Sequence, residues 1–120
     1  MYKSAKSSTF KANGTAFFIG YEDGDEVVGS LVKDTIRIGA MTIKNQTFAQ
    51  ATSFPTKQIY DGILGLGFVS NANSRASTVL DNLFDQKQIS EKVFSFYLNR
   101  YLWIPFKLTY KASLKIVLYI

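Results

Sequence analysis

A chain of 120 residues is long enough for one ordinary domain, and its 47% hydrophobic and 15% aromatic content supplies enough apolar surface to drive folding. The net charge of +5 comes from lysines and arginines scattered along the chain, which is typical of a solvated surface, so we expect no nucleic-acid partner. His and Cys are both absent, which excludes thiol catalysis, Ser-His-Asp triads, disulfides and structural zinc.

The two ends of the chain carry no membrane signal. The first ten residues are rich in Lys and Ser without an apolar segment, which predicts neither a signal peptide nor an anchor. The apolar last 20 residues are interrupted by Lys107, Lys111 and Lys115, so we expect no membrane span. Two sequons, at Asn13 and Asn45, would accept glycans in an exported protein and are weak support for export.

Strand signals dominate the first half of the chain. Residues 15–21 are rich in aromatic and β-branched side chains and lead into a polar turn at residues 22–25, which predicts a β-hairpin. The return strand is expected at residues 27–38, and Gly39-Ala40 then turns the chain into a strand at residues 41–44. The first half is therefore predicted to be an antiparallel meander.

The middle of the chain adds one more strand and a glycine-rich apolar run. A strand is expected at residues 47–51. The run at residues 63–68 follows the turn signal Asp61-Gly62, and its closely spaced glycines predict backbone packed against backbone.

One segment has helical spacing. Ser77 is the expected N-cap, and Asp81 and Asp85 are expected to face solvent. A strand follows at residues 93–98, and residues 107–116 alternate as a strand that is expected to lack a neighbour. The apolar residues of the helix recur at i, i+1, i+4 and i+5 and are Val79, Leu80, Leu83 and Phe84.

Six short motifs follow one another along the chain. The most specific is Asp61-Gly62-Ile63-Leu64-Gly65-Leu66-Gly67. The others are Tyr2-x-Ser4-x-x-Ser7-Ser8-Thr9-Phe10; the segment 17–24; Gly29-Ser30-Leu31 with Asp34-Thr35; Asn45-Gln46-Thr47-Phe48; and Leu80-Asp81-Asn82-Leu83 with Gln86 and residues 93–98. Together they resemble the pepsin-like aspartic endopeptidases of peptidase family A1.

The resemblance implies an all-β fold. Residues 1–99 would be part of the N-terminal lobe, an antiparallel sheet with a flap hairpin and one short helix, and residues 100–120 a divergent tail. It also implies a peptide or protein substrate and a secreted or lysosomal setting.

In that family two carboxylates, each in an Asp-Thr/Ser-Gly loop, share a proton and activate a water against the peptide bond. Neither motif occurs in this chain. Asp34-Thr35 is followed by Ile36, and Asp61-Gly62 lacks the hydroxyl residue, so we assign no catalytic residue. The two loops would lie before Met1 and beyond Ile120, and we expect the chain to be inactive alone.

The same resemblance assigns five residues to substrate binding. Tyr21 matches the flap tyrosine, and Asp23 and Gly24 match the flap tip that bonds the peptide backbone. Phe54 and Ile63 match walls of the apolar pocket beside the catalytic centre. An aromatic residue in a hairpin more often packs on the core. For Phe54, core packing and a place in the pocket wall are equally supported interpretations.

Other readings stay open. A non-catalytic peptide-binding or inhibitory lobe is one, and a truncated gene product without independent function is another. The acidic residues of the turn, Glu22, Asp23, Asp25 and Glu26, could collect calcium, but their spacing favours a solvated turn. We therefore expect no metal and no cofactor.

Overall fold

A three-stranded antiparallel sheet forms the first half of the molecule. The computed structural model describes residues 2–21, 24–53, 61–97 and 115–118. The strands of this sheet are β1 (Lys11–Gly20), β2 (Glu26–Ile38) and β3 (Met41–Ser53), in the order β1-β2-β3. The predicted antiparallel meander is confirmed.

The second half contains one short helix and a second, two-stranded sheet. The elements are α1 (Val79–Asp85), β4 (Phe94–Tyr97) and β5 (Lys115–Leu118), with 3-10 turns at Ser4–Lys6 and Val69–Asn71. The predicted all-β class with one short helix is confirmed. Of the described helices, none is long and apolar enough to cross a bilayer.

Strand β1 begins four residues before its predicted start. The pairing register with β2 shifts between Ala12 and Ala16, and Gly14 lies between them with φ of 78°. A bulge of this kind inserts extra residues into one strand without ending it. The strand thus continues through Asn13-Gly14, a pair that is more common in turns.

Strand β3 is continuous, so the prediction of two separate strands at 41–44 and 47–51 is wrong. Asn45 adopts the left-handed conformation with φ of 55°, and the register shifts opposite it between Asp34 and Ile36. Asn tolerates this conformation better than most residues. The interruption in the apolar pattern is thus a bulge and not a loop.

The helix is capped by Thr78 and not by Ser77. Thr78 Oγ1 accepts a hydrogen bond from the Asp81 amide at 3.1 Å, and Asp81 Oδ2 accepts one from the Thr78 amide at 3.3 Å. This reciprocal pair is a capping box. Asp81 also pairs with Lys92 Nζ at 2.7 Å and keeps 23% of its side chain exposed, and Asp85 is exposed as predicted.

The core lies between α1 and the turn that joins β2 to β3. Ile43, Leu83 and Ile89 are buried there. The partly buried residues packed against them are Ile36, Ile38, Met41, Val79 and Leu80. Burial of Ile43 and Leu83 is complete, so this cluster contributes most of the hydrophobic stabilisation that joins helix to sheet.

Glutamine side chains bind the free edge of β3 beyond the helix. Gln86 exchanges two hydrogen bonds with the backbone of Lys44, accepting from its amide at 2.9 Å and donating to its carbonyl at 3.0 Å. The Thr42 amide donates to Gln88 Oε1 at 3.2 Å. These amides take the place of a neighbouring strand and satisfy backbone groups that would otherwise be unpaired.

The C-terminal strands pair with each other. The strand predicted at residues 93–98 is confirmed as β4, and it pairs antiparallel with β5. Residues 107–114 of the second predicted strand lie outside the described residues. The expectation of an unpaired edge is wrong for Lys115 and Ile116, which lie opposite Tyr97 and Phe96.

Candidate functional site

The tip of the β1–β2 hairpin is closed by two backbone hydrogen bonds. The Tyr21 amide donates to the Asp25 carbonyl at 2.8 Å, and the Gly24 amide donates to the Tyr21 carbonyl at 3.0 Å. Gly24 has φ of 86°, a conformation that other residues rarely adopt, so the turn requires glycine at this position. The structure thus brings Tyr21 and Gly24 together, while Asp23 lies outside the described residues.

The side chain of Tyr21 is not part of the core. It is 39% exposed at the end of β1, next to the turn. An aromatic ring carried on a two-stranded projection, with much of its surface open, is available for contact with a ligand. Asp25, on the other side of the turn, is also exposed.

Ile63 lies in a segment that belongs to none of the described helices and strands. Its side chain is 64% exposed, and Phe68 in the same run is 83% exposed. The predicted close packing around the glycines is not found among the described residues, where a Cβ added at Gly65 or Gly67 would meet no atom within 4 Å. Phe54 lies outside the described residues.

An open cavity of about 360 Å³ lies beside β1 and does not coincide with the predicted site. The Asn73 side chain donates to the Phe18 carbonyl at 2.5 Å and fastens the adjoining loop to the hairpin. Asn13, one of the two exposed sequon asparagines, lies at this cavity. The full lining is Asn13, Thr15, Ala16, Phe17, Phe18, Leu31, Lys33, Thr47, Asn73, Ser74 and Ala76.

Asp34 is a buried carboxylate that the site prediction did not include. It is 3% exposed and accepts hydrogen bonds from the Tyr2 hydroxyl at 2.6 Å, the Ser7 hydroxyl at 2.9 Å and the Thr35 amide at 2.7 Å, as well as from the Thr9 hydroxyl. The Thr9 and Tyr2 hydrogen bonds hold the pKa of Asp34 far below its usual range. Burial and the same carboxylate raise the pKa of Tyr2 to about 12.

The three hydroxyl donors to Asp34 lie 25 to 32 residues away along the chain, so no local pattern indicated these contacts. The one available signal was the density of hydroxyl residues in the segment 2–9. Among the residues that the structure describes, no three His, Cys, Asp or Glu side chains are grouped as a metal ion would require.

Three comparisons place this chain among known proteins. The family model described as eukaryotic aspartyl protease matches residues 1–105. A probable vacuolar protease A of Trichophyton verrucosum is 46% identical over 101 residues, and a cathepsin D of Chionodraco hamatus is 42% identical over 103 residues. These alignments cover 81% and 82% of this chain.

The chain spans about a quarter of the length of these curated relatives, 25% of the first and 26% of the second. A crystal structure of an aspartic proteinase from Irpex lacteus has a TM-score of 0.68 and 27% identity, covering 78% of this chain and 30% of that one. Sequence and fold thus agree over most of the described residues. The chain belongs to the eukaryotic aspartyl protease family.

Proposed function

We propose that these residues are the flap-bearing part of the N-terminal lobe of an endopeptidase that acts at acidic pH. Family membership supports this proposal, and the hairpin with its closed tip and exposed Tyr21 is the observation that carries it. Residues 1–99 form the partial lobe and residues 100–120 a divergent tail.

In this role the hairpin closes over an extended peptide. Tyr21 covers the scissile region, and Asp23 and Gly24 bond the peptide backbone from the tip. Phe54 and Ile63 line the apolar pocket beside the reacting bond, which suits the large exposed surface of Ile63. Closing such a hairpin excludes water and orients the peptide bond, which is how a flap contributes to rate.

The chain itself supplies no catalytic aspartate. Asp34 is fully engaged by its four donors and is therefore unsuited to activating water. The two Asp-Thr/Ser-Gly loops come from parts of the protein outside these 120 residues, and the chain alone has no proteolytic activity. A relative named as a vacuolar protease favours an acidic compartment or a secreted setting for the whole protein.

A segment graft tests this role of the hairpin. The matching 103-residue segment of the Chionodraco hamatus cathepsin D is replaced by this chain's residues, and hydrolysis of a peptide is measured at acidic pH. We expect pepstatin-sensitive activity that falls about 100-fold in kcat/KM in the Tyr21→Ala graft and less in Tyr21→Phe, because the ring is retained. The isolated chain should show no activity.

Two results would contradict the proposal. One is pepstatin-sensitive cleavage by the isolated 120-residue chain. The other is a folded, active graft whose kcat/KM is unchanged by Tyr21→Ala.

The absence of both aspartate motifs also favours a second candidate, a non-catalytic peptide-binding or inhibitory lobe. This reading predicts that the isolated chain binds an extended apolar peptide and that Tyr21→Ala weakens the binding. Fluorescence anisotropy of a labelled peptide distinguishes it from a truncated product without function, which would not bind.

A further inference from the structure

The segment that precedes β1 is held to the sheet mainly through side chains. Residues 2–10 contain one 3-10 turn and enter none of the described strands. The Tyr2 ring packs edge-to-face on Phe48, with centroids 5.0 Å apart, and the Gln50 amide donates to Ser4 Oγ at 3.4 Å. The strongest contacts are the three hydroxyls of Tyr2, Ser7 and Thr9 that converge on Asp34.

Among the described residues, neutral hydrogen-bond donors rather than a cation stabilise the charged form of Asp34. The groups that face it are hydroxyls from residues 2–9 and the Thr35 amide of β2, and Tyr2 is the titratable one among them. Gln46, its register partner on β3, is neutral. Four donors can all bond an ionised carboxylate, whereas a protonated one has fewer acceptor sites and needs an acceptor for its own hydrogen.

We propose that Asp34 is a positioning residue that, in its ionised form, holds residues 2–9 against the sheet and so fixes the base of the β1–β2 hairpin in acid. Asp34 lies next to Lys33, which pairs with the first residue of β1. The hydrogen bonds of Asp34 therefore act where the hairpin begins. This role concerns contacts within the chain and holds whether or not the hairpin closes on a peptide.

The pH range follows from the direction of the shift. The folded-state pKa of Asp34 lies below the value of about 3.9 for an unfolded Asp. Its contribution to stability is therefore fully present above about pH 4 and is lost as pH falls further, through the folded-state pKa. At mildly acidic pH the hydrogen bonds between Asp34 and residues 2–9 therefore remain formed.

Hydrogen exchange of the full 120-residue chain tests this inference. Protection of the peptide spanning residues 2–10 is measured at about pH 7 and about pH 4, after correction for intrinsic rates. In the wild-type chain we expect equal protection at both values. In Asp34→Asn it should fall about tenfold or more at both, whereas Asp85→Asn, which changes an exposed carboxylate, should match the wild type.

A second variant covers the case in which Asp34→Asn does not fold. Thr9→Val keeps the shape of the side chain and removes one donor, which raises the folded-state pKa of Asp34. Protection of residues 2–10 should then be lost at a higher pH than in the wild type when the pH is lowered below about 4. Loss of wild-type protection at about pH 4 would overturn the inference. Full protection in a folded Asp34→Asn chain, or loss of protection at the same pH in Thr9→Val and the wild type, would overturn it as well.

Discussion

Gly29 lies where the backbones of β2 and β3 approach each other closely. A Cβ at this position would stand 2.2 Å from the Gln50 carbonyl oxygen and 3.0 Å from Ala51 Cα. Both obstacles are backbone, so no rotation of a side chain could relieve the contact. The register between β2 and β3 shifts at this point, between Val28 and Gly29.

Gly29→Ala is therefore expected to separate β2 from β3 locally and to lower the free energy of unfolding by about 1–3 kcal/mol or more. Urea denaturation of the chain measures the change. Gly20→Ala is the matched control, since its Cβ would meet only the Phe18 ring at 4.0 Å, an ordinary contact. Equal midpoints for both variants would show that the sheet can absorb the clash.

The role of a single residue could be predicted from sequence where the local backbone conformation determines it. Gly24 belongs to a turn motif, and the structure gives it the positive φ for which glycine is used. Asp34 is the opposite case, because its three hydroxyl donors come through the fold from a distant segment. Local sequence does not show why position 29 needs glycine either, since the requirement arises from Gln50 on another strand.

At the scale of elements, α1 shows how capping and tertiary contact act together. It has only 7 residues, too few for a stable isolated helix, so its cap and its packing have to stabilise it. Leu83 provides the packing and Thr78 with Asp81 the cap. Lys92, 2.7 Å from Asp81, and the Thr78 hydroxyl lower the pKa of Asp81, so the carboxylate is charged where the helix dipole favours it.

Thr78→Ala should lower the free energy of unfolding by about 1 kcal/mol, because the Asp81 amide loses its acceptor. Thr78→Ser should retain most of the stability. Ser77→Ala tests the N-cap predicted from sequence and should change the free energy of unfolding by less than about 0.5 kcal/mol. Chemical denaturation followed by circular dichroism compares the three, and a larger loss in Ser77→Ala would reverse the assignment of the cap.

Strand and helix types were predictable, whereas strand boundaries were not. Aromatic and β-branched content followed by a polar turn predicted the β1–β2 hairpin, composition predicted β4, and helical spacing of apolar residues predicted α1. Two of the three register shifts in the sheet fall at Gly14 and Asn45, residue types that normally indicate turns. Whether such a residue ends a strand or bulges within it depends on the partner strand, which local sequence does not specify.

At the scale of the whole molecule, the apolar run after Asp61 is the feature that the described residues leave uncovered. Ile63, Leu64 and Phe68 are exposed large hydrophobic residues close together in sequence. Apolar groups on the surface of a soluble protein that lie together generally mark a contact with another part or partner. The proposed origin in a longer endopeptidase predicts that other parts of that enzyme cover this run, because the matched relatives are about four times as long as the aligned segment.

The proposal as a whole requires that the catalytic aspartates be encoded elsewhere in the same gene. Sequencing the full-length transcript around this reading frame tests that requirement most directly. We expect an in-frame Asp-Thr/Ser-Gly motif before Met1 and a second one, within a second lobe, after Ile120. A transcript that encodes neither motif would contradict a role in proteolysis and would leave peptide binding without catalysis as the function to test.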